Sequence, residues 1–327
     1  MKKDFLSIAD LSTKAIWEIF AVAKKLKKEL KAKGVHEPLL KGKSLALIFE
    51  KQSLRTRISF EIGMAQLGGN TVYLDPRDTG IGVREEDKDV AKVIGSMADI
   101  IAIRNHNHAL LVLYAKYADI PVINALSDIE HPCQALTDLF TIWEVKNKLQ
   151  GLKIAYVGDG DNNVAHSLCI GSVMFGATFA CASPKGFWMN QGIVDKVKAL
   201  QRIFNNWQRP RQKVKWLKNE CSSITETINP KEAVKNADVV VTDTWVSMGD
   251  TDKEERVKIF QEYQVNSALM KLAKKDAIFM HCLPAYRGKE VTPEVIDGQQ
   301  SVVFQEAENR LHVQKALLLF LLKGKLL

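Results

Sequence analysis

Residues 44–57 read SLALIFEKQSLRTR, an apolar run, a polar link and then Ser53-Leu54-Arg55-Thr56-Arg57. Ile58, Ile62 and Ala65 continue at helical spacing and Gly68-Gly69 closes the pattern, so the stretch reads as strand, turn and helix. A run that is apolar throughout, rather than alternating, suits a strand covered on both faces, as parallel sheets require. The unit recurs: Thr71 to Leu74, Asp99 to Ile103 and Pro121 to Asn124 precede a helix beginning near Pro132. Lys153 to Val157, Thr178 to Ala182, Asp238 to Thr242 and Ala277 to Met280 form a second set, and Gln150-Gly151 interrupts the pattern between the two. The expectation is an α/β protein of two doubly wound parallel-sheet domains, residues 1–150 and 151–305, joined by interdomain helices, with a helix over 306–327 packing back. In such sheets ligands bind beyond the carboxyl ends of the strands.

Composition agrees. A chain of 327 residues allows two domains at roughly 150 residues each. Its 46% hydrophobic and 26% charged residues are those of a packed globular protein, which excludes a peptide hormone or a disordered tract. The longest apolar run, Ala316 to Leu322, is far short of the ~18 residues of a membrane span, and the opening MKKDFLSIAD has no hydrophobic signal core. The cysteines Cys133, Cys169, Cys181, Cys221 and Cys282 are odd in number and form no C-x-x-C pair, which fits a reducing cytosol and no structural metal. A net charge of +8 suits nucleic acid or small anions. Lys24, Lys25, Lys27, Lys28, Lys31 and Lys33 share a helix with Glu29 and read as a solvated face, leaving the cluster Arg209, Arg211, Lys213, Lys215 and Lys218. That cluster and the +8 charge keep a nucleic-acid-binding protein as the rival reading; the expected partners are small anionic substrates, with no nucleic acid and no membrane.

Ser53 is a natural N-cap for the helix after the first strand. Arg55 and Arg57 then lie in its first turn, where the helix dipole disfavours cations by roughly 0.3–1 kcal/mol each unless an anion is bound. Free amides, hydroxyls and guanidiniums at a strand end make an anion site. Gly42-Lys43-Ser44 is no P-loop, because it precedes its strand and Glu37 stands where the earlier glycine belongs. Gly158-Asp159-Gly160 fits a dinucleotide fingerprint poorly, because Asn163 stands at the third glycine and the acid expected about 20 residues on is missing, which leaves a nicotinamide dehydrogenase as a weak runner-up. Further polar residues mark other strand ends: Arg104, then His131-Pro132-Cys133-Gln134, then Asp243 and His281-Cys282. Pro132 fits a first helical position, which turns His131 and Gln134 the same way. Taken singly these are a cap, a turn former and a small thiol as readily as ligands.

Together with Ser53-Leu54-Arg55-Thr56-Arg57, the motifs His131-Pro132-Cys133-Gln134, Asp243-Thr244-Trp245-Val246-Ser247-Met248-Gly249 and His281-Cys282-Leu283-Pro284 resemble, in this order, the aspartate/ornithine carbamoyltransferase family. The resemblance covers nearly the whole chain and ends in Glu306-Ala307-Glu308-Asn309-Arg310; its Ser-Met-Gly loop is that of the ornithine branch. It implies transfer of a carbamoyl group from carbamoyl phosphate to L-ornithine without cofactor or metal. Residues 1–150 would then bind carbamoyl phosphate and residues 151–305 ornithine. By the same resemblance Ser53, Leu54, Arg55, Thr56, Arg57, Arg104, His131, Gln134 and Arg310 hold carbamoyl phosphate, and Asn163, Asp243, Ser247 and Met248 hold ornithine. Cys282 and Leu283 match a pair beside the reacting amine and are counted with the carbamoyl phosphate set; Arg104, His131 and Cys282 form the catalytic set. A trimer with shared sites, or an assembly of trimers, is implied as well.

The sequence departs from the family pattern at Leu54, often Thr; at Gly80, commonly Gln; and at Arg84-Glu85-Glu86, more usually Gly-Glu-Ser. The segment from Asn205 to Lys218 is longer and more basic than the family pattern.

Overall fold

Each apolar run becomes a strand because flanking helices cover both of its faces. The computed structural model describes residues 3–82, 84–208, 223–246 and 252–324. The strands are β1 (Ser44–Phe49), β2 (Asn70–Leu74), β3 (Ile100–Arg104), β4 (Val122–Leu126), β5 (Lys153–Val157), β6 (Thr178–Ala182), β7 (Ser223–Thr227), β8 (Val239–Val241) and β9 (Ile278–Met280). They form a four-stranded sheet of order β2-β1-β3-β4 and a five-stranded sheet of order β7-β6-β5-β8-β9. Every pairing is parallel. The one strand not expected is β7, whose Ser-Ile-Thr-Glu-Thr sequence is mostly polar. It pairs with β6 alone, and an edge strand needs no continuous apolar run.

Packing divides the chain into two units, residues up to 137 with those from 308 onward, and residues 138–307. The chain passes from one unit to the other inside two helices, Pro132–Lys146 and Val303–Lys323. In the first unit Ala46, Ile48, Ile101, Ile103 and Val122 of the sheet pack with Val90, Ala91, Leu111 and Tyr114 from helices. In the second, Ala155, Val157, Ala180, Val240 and Phe279 pack with Trp245, Phe260 and Ile296. Each such large side chain contributes about 1.5–3 kcal/mol when fully buried. Gly68, two residues past the helix Arg55–Gln66, has φ of +80°, and a Cβ there would lie 2.6 Å from the Pro38 Cβ, so only glycine fits.

Strand order also fixes where ligands can sit. In the first sheet the chain runs from β1 to β2 and returns on the other side as β3; in the second it leaves β5 for β6 and β7 and returns as β8. The loops after β1 and β3, and those after β5 and β8, therefore diverge and leave a crevice at each switch point. The C-terminal helix is pinned in the first unit by a buried ammonium: Lys315 Nζ donates to His36 Nε2 at 2.7 Å and to Gln66 Oε1 at 2.8 Å. His36 Nδ1 in turn faces Glu29 Oε2 at 3.0 Å. Burial lowers the Lys315 pKa to about 8. No helix among the described residues is long and apolar enough to cross a membrane.

Candidate active site

At the switch point of the first unit, the helix Arg55–Gln66 leaves β1. Its cap position is Leu54, with φ of −75° and ψ of −66°, and no side chain bonds the first-turn amides. Ser53 is thus not the N-cap the sequence suggests: it stands one residue too early, and the leucine side chain at the cap has no acceptor to offer. The uncapped start keeps its partial positive charge for a ligand.

Around it the structure gathers Thr56, Arg104, His131, Gln134 and Arg310. Arg310 is only 2% exposed. Its Nε donates to Gln314 Oε1 at 2.9 Å, one terminal nitrogen donates to Thr56 Oγ1 at 2.9 Å, and the other donates to Gln134 Oε1. Arg104 ends β3 opposite Phe49, its carbonyl accepting from the Glu50 amide at 3.0 Å. His131 immediately precedes the helix Pro132–Lys146, as expected. Burial, then the charges of Arg310, Arg104 and Arg55, hold its pKa well below 6.5, so the imidazole is neutral at pH 7. The first-turn arginines part ways: Arg57 Nε is 3.0 Å from Glu61 and its guanidinium lies 3.6 Å from the Tyr73 ring centre. Leu54 is 71% exposed, whereas Ser53 and Arg55 are half-buried.

The loops after β5, β8 and β9 make the cluster of the second unit. Asp243 Oδ1 accepts from the Thr244 amide at 2.8 Å and from the Cys282 thiol at 3.1 Å, and Oδ2 accepts from the Asn162 amide nitrogen at 3.1 Å. Burial, followed by the Asp243 carboxylate, pushes the Cys282 thiol well above its usual value, so it is a hydrogen-bond donor and not a thiolate nucleophile. His281 Nδ1 accepts from the Leu283 amide at 2.9 Å, which places the proton on Nε2, 3.3 Å from Glu290 Oε1. Asp243, His281 and Cys282 bring three potential metal donors within 4.8 Å of one another. Both histidine nitrogens are hydrogen-bonded, so the ring would have to turn to ligate an ion. Arg256 braces the loops from behind: it donates to the Trp245 carbonyl at 2.7 Å, pairs with Asp159, and lies 4.9 Å from the Phe187 ring centre.

Asn163 opens the helix Asn163–Met174, and its neighbour Asn162 both caps that helix and holds Asp243. Sequence reading passed over Asn162, although an Asn before an apolar helix is a cap signal. It also passed over Gln314 and Arg256, polar residues inside helical patterns that no local rule marks. Cys282 and Leu283 belong to the second unit, with Asp243. Ser247 and Met248 lie outside the described residues, as does the basic cluster from Arg209 to Lys218.

Two parallel α/β units, one with buried cations at a helix start and the other with a buried carboxylate at its strand ends, are the arrangement of an α/β enzyme that takes an anionic and a cationic ligand. The chain belongs to the aspartate/ornithine carbamoyltransferase family: residues 3–144 match its carbamoyl-P binding domain and residues 150–321 its Asp/Orn binding domain. It is 49% identical over 325 residues to the ornithine carbamoyltransferase of Caldicellulosiruptor saccharolyticus, covering 99% of this chain and 100% of that one. It is also 49% identical over 322 residues to that of Carboxydothermus hydrogenoformans, covering 98% and 97%. The solved ornithine carbamoyltransferase from Pyrococcus furiosus superimposes with a TM-score of 0.90 at 44% identity, covering 99% of this chain and 98% of that one.

Proposed function

We infer that the chain transfers the carbamoyl group of carbamoyl phosphate to the δ-amine of L-ornithine, giving L-citrulline and phosphate. The observation that carries this reading is the grouping of Thr56, Gln134 and a neutral His131, from the stretch that matches the carbamoyl-P binding domain, with Arg310, which returns to the same unit, at an uncapped helix start. In our reading Arg55 and the first-turn amides grip the phosphate, as anions are held at helix N-termini. Arg104, His131 and Thr56 face the carbamoyl oxygen. Arg57, committed to Glu61 and Tyr73, contributes charge rather than direct contact. Residues 151–305 take ornithine, with Asp243 pairing its α-ammonium, Asn163, Ser247 and Met248 bordering it, and Cys282 and Leu283 beside the reacting amine.

The amine must arrive uncharged. If it is lysine-like, deprotonation at pH 7 costs about 4.6 kcal/mol, which desolvation and neighbouring guanidiniums reduce. The δ-nitrogen lone pair then forms the C–N bond and the C=O pair moves onto oxygen; the tetrahedral intermediate collapses as that pair re-forms C=O, the C–O bond to phosphate breaks, and the departing phosphate takes the proton from nitrogen. Loss of one oxyanion donor typically costs about 2.7–4 kcal/mol. No covalent enzyme intermediate, redox step or metal is needed.

We also propose a trimeric catalytic unit, working in the cytosol. Leu54, Ile58 and Ile62 repeat every fourth residue on one exposed helix face, and Val72 is exposed on the adjacent edge strand, an apolar surface suited to a second copy. The functional reading is tested by a citrulline assay with carbamoyl phosphate and ornithine, putrescine, lysine, acetylornithine or aspartate. Ornithine alone should give rapid turnover, and carbamoylation of aspartate instead would refute the assignment.

A further inference from the structure

We propose that Gln314 is a positioning residue for carbamoyl phosphate: it aims the Arg310 guanidinium and holds it beside the phosphate-binding helix. The inference rests on the reading of the first unit as the carbamoyl phosphate site. Gln314 is fully buried, one turn beyond Arg310 on the same helix. Its Oε1 accepts from Arg310 Nε at 2.9 Å and lies 2.9 Å from Ser59 Oγ. The Ser59 hydroxyl also lies 2.6 Å from the Arg55 carbonyl and 3.1 Å from the Thr56 carbonyl, so its one proton is shared among three acceptors. Gln314 thus holds Arg310 beside Ser59 of the phosphate-binding helix, whose one proton serves either Gln314 or the first-turn carbonyls.

Two features separate this from ordinary core packing. Gln314 Nε2 is buried with no hydrogen-bond partner among the described residues. A buried amide left half-satisfied works against stability, and a thioether of similar length would fill the space without that cost. The amide orientation is nevertheless fixed, because Arg310 Nε can only donate and so requires the oxygen. The second feature is charge. A carboxylate here would hold the guanidinium equally well but would cancel part of its charge, whereas the amide orients the cation and leaves its charge for an anion.

The test uses the full-length variants Gln314→Met and Gln314→Glu, with KM for each substrate, inhibition by orthophosphate, and Tm. Gln314→Met should keep or raise Tm, raise the KM for carbamoyl phosphate about fivefold and weaken orthophosphate inhibition in step, with the ornithine KM within about twofold. Gln314→Glu should weaken both anions further, by about tenfold, with no loss of Tm. An unchanged carbamoyl phosphate KM in either folded variant overturns the proposal. So does a fall in Tm with equal rises in both KM values, or failure of both variants to fold, since Gln314 would then be ordinary packing. Calorimetric binding of orthophosphate to the parent and variants keeps the cases separate: a parent that binds phosphate but makes no citrulline refutes the functional reading and leaves Gln314 tested.

Discussion

Arg310 and Arg256 are both buried arginines held by several hydrogen bonds, yet their partners differ in kind. Arg310 donates to an amide of Gln314, an amide of Gln134 and a hydroxyl of Thr56, three neutral acceptors among its partners. Burial is the main depressant of the His131 pKa, and the Arg310 charge adds to it. Arg256 is instead paired with the Asp159 carboxylate and bonded to a backbone carbonyl. Asp243 behaves like Arg310 with the sign reversed, since its donors are an amide, a thiol and a backbone N–H. A buried charge satisfied by neutral groups remains available to a charged ligand; one matched by its opposite serves as scaffold.

The largest effect should therefore come from the scaffold. Arg256→Ala leaves Asp159 buried without its cation, and we expect a loss of about 3 kcal/mol of stability, read as a Tm several degrees lower. The ornithine KM should rise with it, because the Trp245 carbonyl loses its partner, while the carbamoyl phosphate KM holds. An unchanged Tm would place Arg256 with Arg310 and undo the distinction.

Arg55→Ala should act in the opposite manner, sparing Tm and weakening carbamoyl phosphate binding at least ~100-fold, about 2.8 kcal/mol. Calorimetry decides it: an unaltered dissociation constant in a folded variant would remove the helix start from the anion site.

Asp243→Asn keeps shape but loses the charge and at least one accepted hydrogen bond, because its NH2 group must face a donor. The ornithine KM should rise about tenfold, roughly 1.4 kcal/mol, with carbamoyl phosphate unaffected. A change under about threefold would make Asp243 a turn residue whose charge is not used.

The smallest effect concerns an exposed charge. Gly80 has φ of +71°, and a Cβ there would lie 2.6 Å from the Arg84 side chain, which is folded over it. Arg84→Ala should raise the carbamoyl phosphate KM modestly. Gly80→Gln must displace Arg84, so a double-mutant cycle on kcat/KM should give a coupling of at least ~0.5 kcal/mol. Additive effects would make Arg84 a solvated surface charge.

How far the sequence could be read followed from how local each signal is. Apolar runs such as Leu45 to Phe49 announce buried parallel strands by themselves, so two sheets and the strand-end positions of Arg104, His131 and Asp243 were legible. The polar edge strand Ser223–Thr227 was not, because its pairing with β6 supplies what its own composition lacks. Ser53 misled because the cap rule names a residue type and cannot fix a helix start to one position. Gln314 and Asn162 were hidden for another reason: their partners, Ser59 and Asp243, are 255 and 81 residues away.

The return of residues from 308 onward to the first unit has a consequence for synthesis, which proceeds from the N-terminus. A nascent chain that has exposed every strand of both sheets still lacks Arg310, Gln314 and the Lys315 anchor. A chain released before the helix Val303–Lys323 is made would therefore carry every strand of both sheets without Arg310, and we expect it to hold no carbamoyl phosphate.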